Sequence, residues 1–126
     1  MNKIKVLLIS ISSAILLLVL HLWGMESELY VKYWFYDIIL HILGGVSIAL
    51  AIYTVADVFN IATLKKFYVL VSLTFIAGIA WEVFEVYFDI TGFHIGTREY
   101  NVDTFKDVVN DTIGAIAVGV ISYIRK

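Results

Sequence analysis

Four long apolar stretches run through the chain, separated by short polar connections. A helix crossing the hydrocarbon core of a bilayer needs about 20 mostly apolar residues. On that measure the pattern predicts spans at about residues 4–24, 36–59, 67–88 and 105–124. The first follows Lys3 and Lys5 and so has the outline of a signal peptide. Its apolar run continues to Leu20, however, and His21-Leu22-Trp23-Gly24 offers no small-x-small cleavage site, so it reads as an uncleaved anchor. The expected fold is an all-α integral membrane bundle of about four transmembrane helices, in a single domain over residues 1–126.

Composition supports a bilayer as the solvent. Hydrophobic residues make up 61% of the chain and charged residues 16%, whereas soluble domains average about 45–50% apolar. The formal net charge of −2 gives no electrostatic basis for binding nucleic acid. Without cysteine there is no disulfide framework, thiolate metal site or cysteine nucleophile. Without proline no span carries a proline kink.

Charge also gives the bundle a direction. Lys3 and Lys5, then Lys65 and Lys66, then Arg125 and Lys126 all fall on one side if every stretch spans. The other side has Lys32, Arg98 and Lys106, mixed with acids. The positive-inside rule then places both termini in the cytoplasm. Trp23, Tyr30, Tyr33, Trp34 and Tyr36 fall at the outer interface, where amphipathic rings collect.

The polar residues within the spans are grouped. At about 100° per residue, Asp37, His41, Gly44 and Gly45 share one stripe of the second span. Gly78, Glu82, Glu85 and Asp89 share one of the third, and Asp103, Asp107, Asn110, Asp111 and Gly114 one of the fourth. Glycine allows close backbone approach in membrane bundles, and intramembrane charges face protein or wet cavities. Three converging stripes, with acids toward the outside and glycines packed below them, satisfy both requirements. The apolar part of the fourth span, residues 112–124, is too short to cross alone, so the half with Asp107, Asn110 and Asp111 must be shielded, begin at the interface, or re-enter.

Seven of the eleven acids belong to these stripes: Asp37, Glu82, Glu85, Asp89, Asp103, Asp107 and Asp111. Crowded carboxylates in a low dielectric need protons, cations or a metal. Oxygen donors with one imidazole suit a divalent ion, with His41, Glu82, Glu85, Asp107 and Asp111 as the candidate ligands and Asp37, Arg98 and Asp103 completing the polar site. Such an ion could polarise a phosphoryl group or activate water, on a lipid or other envelope substrate. Structural roles are open for each residue as well. Glu82 and Glu85 can bond across helices or pair with Arg98 and Lys106, His41 can bond Asp37, and Asp103 can cap the fourth helix. Arg98 can meet solvent or headgroups. His21 can sit at the interface, Ser10, Ser12 and Ser13 can bond their own backbone, and Asp57 can be solvated. No nucleophilic triad, phosphate loop or zinc-protease motif is present.

These residues also carry a resemblance. Tyr36-Asp37-x-x-x-His41-x-x-Gly44-Gly45, Trp81-Glu82-x-x-Glu85, Asp103-Thr104-x-x-Asp107 and Asp111-Thr112-x-Gly114-Ala115 resemble the uncharacterised YjdF-like bacterial inner-membrane proteins, and more distantly the VanZ-like membrane proteins. The resemblance covers residues 36–119. It implies a multi-helix protein of the bacterial inner membrane, and through the VanZ-like group a link to glycopeptide resistance. Three functional classes stay open: a metal-binding enzyme or ligand-binding protein, a non-enzymatic envelope protein with structural acids, and a cation- or proton-coupled transporter. The apolar inner halves of the spans favour transport least.

Overall fold

The computed structural model describes residues 2–90 and 92–124. Arg125 and Lys126, one of the three basic clusters used for orientation, lie outside them. Five helices follow in order: α1 (Lys3–Glu26), α2 (Leu29–Lys32), α3 (Tyr36–Val58), α4 (Thr63–Tyr87) and α5 (Arg98–Ile124). Apart from the single turn of α2, each is long and apolar enough to cross a membrane. The protein is an all-α bundle, with no strand among the described residues.

Helix ends follow local chemistry. Asn2 caps α1 by accepting from the amides of Ile4 and Lys5. Asn60 and Asp89, just beyond α3 and α4, adopt left-handed φ values of 54° and 53°, which short polar side chains tolerate. The next amides then return to carbonyls of the last turn, Ile61 to Ala56 at 3.0 Å and Ile90 to Glu85 at 2.9 Å. Asp89 thus ends its helix at an exposed position and stays out of the acidic interior.

The fourth spanning helix is the main departure from the apolar pattern. It begins at Arg98, not near residue 105. Apolar content marks the part of a helix that meets lipid, and residues 98–106 are polar because they extend beyond it. A 27-residue helix is about 40 Å long, well over a hydrocarbon core of about 30 Å. Asp103 is therefore inside the helix rather than its N-cap.

Helix α3 is the centre of the assembly. It packs against α1 on one side and against α5 and α4 on the other, and α4 packs on α5. Among the described residues α1 approaches neither α4 nor α5 closely. The α3–α5 crossing is backbone on backbone: a Cβ on Gly45 would strike the carbonyl of Asp111, and one on Gly114 the carbonyl of Ile42.

The α1–α3 contact is fastened by serines. Ser10 Oγ donates to the Ser47 carbonyl at 2.9 Å, and Ser47 Oγ to Ser13 Oγ at 2.8 Å. Ser10 thus acts between helices, because lipid offers buried hydroxyls no water. Ser47 Oγ lies equally close to the Leu43 carbonyl of its own helix, at 2.8 Å, and Ser13 Oγ donates within α1 to the Ser10 carbonyl at 2.9 Å. Interhelical hydrogen bonds in membranes are worth about 0.6 kcal/mol on average, so Ser47→Ala should lower stability by about 0.5–1 kcal/mol. Ser12→Ala, on an exposed position, should be neutral. Denaturant unfolding in mixed micelles measures both.

The interior divides by depth. One half is apolar, formed by Val6, Ala49, Leu50, Tyr53, Leu70, Ala115 and Val118. It is closed below by charge: Lys66 donates to Asp57 at 2.7 Å and lies 4.5 Å from the Tyr53 ring centroid, while Lys3 stands 3.8 Å from the same carboxylate. Asp57 is therefore paired rather than merely solvated. The other half holds the buried acids.

Candidate metal centre

The buried acids converge because the Gly45–Gly114 crossing brings the polar stripes of α3 and α5 against each other. His41, on the second turn of α3, sits between three aspartates. Its Nδ1 lies 3.3 Å from Asp111 Oδ1. Its Nε2 lies 3.6 Å from Asp37 Oδ1, one turn earlier on α3, and 3.8 Å from Asp107 Oδ1 on α5.

Those distances separate two roles for the ring. At 3.3 Å, Nδ1–H can donate a long hydrogen bond to Asp111, which fixes the tautomer and turns the ring. On a neutral ring Nε2 then carries a lone pair, directed toward two carboxylate oxygens that are too far away to hydrogen-bond it. Three electron-rich atoms facing one another repel unless positive charge joins them, as a proton on Nε2 or as a metal ion at their centre. Asp107 sharpens this: the residue is 2% exposed, and its Oδ1 has no hydrogen-bond partner among the described residues. Ligand atoms of Asp37, His41 and Asp107 all lie within 4.8 Å of one another. A triangle of that size has a centre within reach of metal–ligand bonds of about 2.0–2.6 Å. The carboxylate-to-imidazole bond behind it is the usual support for a metal-bound histidine.

The remaining candidate residues are placed differently. Asp111 supports His41 from behind and is not in the triangle; its Oδ2 also lies 2.7 Å from where a Cβ on Gly78 would stand, so a larger residue there would push the carboxylate aside. Glu82, 2% exposed, accepts from Thr104 Oγ1 at 3.0 Å. Glu85 lies beside Trp81 on the wall of the larger cavity. Neither glutamate belongs to the triangle. Asp103 pairs with Lys106 at 3.3 Å. Arg98 is exposed at the start of α5 and makes no ion pair among the described residues.

Two cavities meet at this site. One, of about 550 Å³, runs between α1 and α4, with walls that include Leu17, Leu18, Ala77, Trp81 and Phe84 and a floor of Asp37, His41 and Asp111 on α3 and α5. The second, of about 430 Å³, lies at the end of the bundle and reaches Asp37, Asp103 and Asp107. His21, Tyr30, Asp37 and Glu85 line both. Tyr30 Oη stands 2.6 Å from His21 Nδ1. Burial, with a smaller contribution from Asp37, pushes the Tyr30 hydroxyl well above its ordinary range, so the phenol stays protonated.

Sequence reasoning missed Tyr30, Thr104 and Trp81 as parts of the site. Tyr30 reads as an interfacial aromatic, and only three-dimensional proximity distinguishes it from Trp34; Trp81 enters the sequence reading only through the Trp81-Glu82-x-x-Glu85 motif. Thr104 was legible in one respect, since it directly follows Asp103 in a polar stripe.

No curated protein and no solved structure matches the chain. A family match runs along almost its whole length, over residues 2–126, and the YjdF-like proteins fall within the same family. A bundle of four apolar helices carrying this buried polar cluster accordingly belongs to the uncharacterised family described as Predicted membrane protein (DUF2238).

Proposed function

We propose that this protein binds a divalent metal ion at Asp37, His41 and Asp107 and presents it to a lipid-borne or other envelope substrate from the outer leaflet of the bacterial inner membrane. The observation that carries the proposal is the imidazole Nε2 facing two carboxylate oxygens at 3.6 and 3.8 Å, with Nδ1 engaged by Asp111. Bound there, an ion would supply Lewis acidity toward a phosphoryl oxygen or a water. The chain would supply the ligands, an apolar approach between α1 and α4, and exclusion of bulk water by the packed halves of α3 and α5. The orientation, with both termini cytoplasmic, rests on Lys3, Lys65 and Lys66 lying at the end opposite the acids.

Elemental analysis tests the reading. Protein purified from metal-supplemented cells in mild detergent should retain about one divalent ion per chain, removable by chelator and restored by re-addition. Protein without stoichiometric metal after that preparation would exclude the site. The second reading is a non-enzymatic envelope protein, related to the VanZ-like group, whose acids fasten helices. It is favoured by the Glu82–Thr104 bond, and a metal-free preparation of full stability would support it.

A further inference from the structure

We infer that the cleft between α1 and α4 holds one membrane amphiphile with an ammonium-bearing headgroup, its ammonium on Glu85 and its chains leaving sideways between the two helices. This deepens the reading of a lipid-facing site by naming the class of ligand, and it can fail independently of the metal.

Shape comes first. The cavity of about 550 Å³ has the size of a ligand site. Its two lips, α1 and α4, do not approach each other closely, so its long side opens toward acyl chains. Ala14, Leu17 and Leu18 on one lip and Ala77, Trp81 and Phe84 on the other give the chains an apolar path. The polar end is confined to the floor and to the junction with the second cavity. An amphiphile lying along the helices matches both ends.

Charge then selects the headgroup. Every lining residue of this cavity with a full formal charge is an acid: Asp37, Glu85 and Asp111. Among the described residues, no lysine or arginine lines either cavity. With Asp37 in the triangle and Asp111 on His41, Glu85 is the acid left to the headgroup: an anionic group would meet its carboxylate, whereas an ammonium would compensate charge that is costly to bury alone. Aromatic rings add to the selection. Trp81 stacks on Phe84 with ring centroids 5.2 Å apart, and both rings line the cavity together with Glu85. A carboxylate next to aromatic faces is the usual surround of an ammonium.

Brominated lipids report the occupant. Trp23→Phe combined with Trp34→Phe leaves Trp81 as the sole indole of the three in the chain. The full-length protein is placed in phosphatidylglycerol vesicles containing a minor fraction of dibrominated lipid with either an ethanolamine or a glycerol headgroup. At equal mole fraction the ethanolamine lipid should be favoured at Trp81 roughly two- to five-fold. Glu85→Gln should erase the preference. Ala14→Phe, at an exposed position of α1, should fill the cleft and reduce quenching by both lipids, and it keeps the test decisive if Glu85→Gln does not fold. Equal quenching by the two headgroups overturns the inference. So does protection from both, the result if a second copy of the chain covers the cleft, and so does a preference that survives both substitutions. Headgroup preference that persists in metal-free protein removes only the metal reading; stoichiometric metal without preference removes only this one.

Discussion

Asp107→Asn is expected to weaken divalent-metal binding by at least about 100-fold, with the bundle still folded. The side chain keeps its shape but loses its charge, and charge count is a main determinant of affinity at oxygen-rich sites. Asp107 is the ligand with fewest alternatives: it is 2% exposed, and its Oδ1 has no hydrogen-bond partner among the described residues. Asp111→Asn should cost less, about 10–100-fold, as expected for a residue that orients a ligand. The amide oxygen can still accept from His41 Nδ1. Glu99→Gln, exposed in the first turn of α5, should change nothing. Competition titration with a chromophoric chelator measures all three. Unchanged affinity in Asp107→Asn, or equal losses in Asp107→Asn and Glu99→Gln, would contradict the site.

Gly45→Leu should abolish the folded bundle, while Gly44→Ala should be close to neutral. The two glycines are adjacent but face different surroundings. A Cβ on Gly44 would rest 3.6 Å from Asp111 Oδ1 and from Leu17 Cδ2, which is ordinary contact. A Cβ on Gly45 would strike the backbone of Asp111, and a helix backbone cannot turn aside as a side chain can. Overpacking costs about 1–3 kcal/mol where neighbours yield. Here α3 and α5 must separate along their whole crossing, and the cost exceeds that range. Size-exclusion profiles and thermal aggregation in detergent distinguish the outcomes: a monodisperse Gly45→Leu protein of ordinary stability would mean that the helices do not cross at these glycines.

The spans were legible because a bilayer imposes a length and a polarity on every crossing segment. The stripes were legible because 3.6-residue periodicity fixes which side chains share a face. Asp37 and His41 on α3, and Asp107 and Asp111 on α5, therefore stood out from sequence as two aligned pairs. Periodicity does not say which helix a face will meet, nor at what height. Those depend on the Gly45–Gly114 crossing, a contact between residues far apart in the chain. The crossing sets Asp107 of α5 opposite His41 Nε2, while Glu82 of α4 meets Thr104 instead. Ser47 was illegible for the same reason: a serine in an apolar helix shows no partner until α1 is placed beside it. The extra turns of α5 were missed because hydropathy registers lipid exposure, and a polar helical segment reads as a connection.

The order of helices in the chain bears on how such a protein is made. α1 and α3 are consecutive spans and close on each other through Ser10, Ser13 and Ser47, so their pairing can begin as soon as both have been synthesised. The acids of α5 have no such early partner. Asp107, Asn110 and Asp111 can leave water only against a face that already presents His41 and the glycines of α3 and α4. During biosynthesis the last span would therefore enter the membrane by templating on the earlier ones, while they in turn hold His41 and Asp37 without their counterparts until it arrives. A ribosome stalled before α5 would leave a protein that spans the bilayer and carries half of the polar cluster.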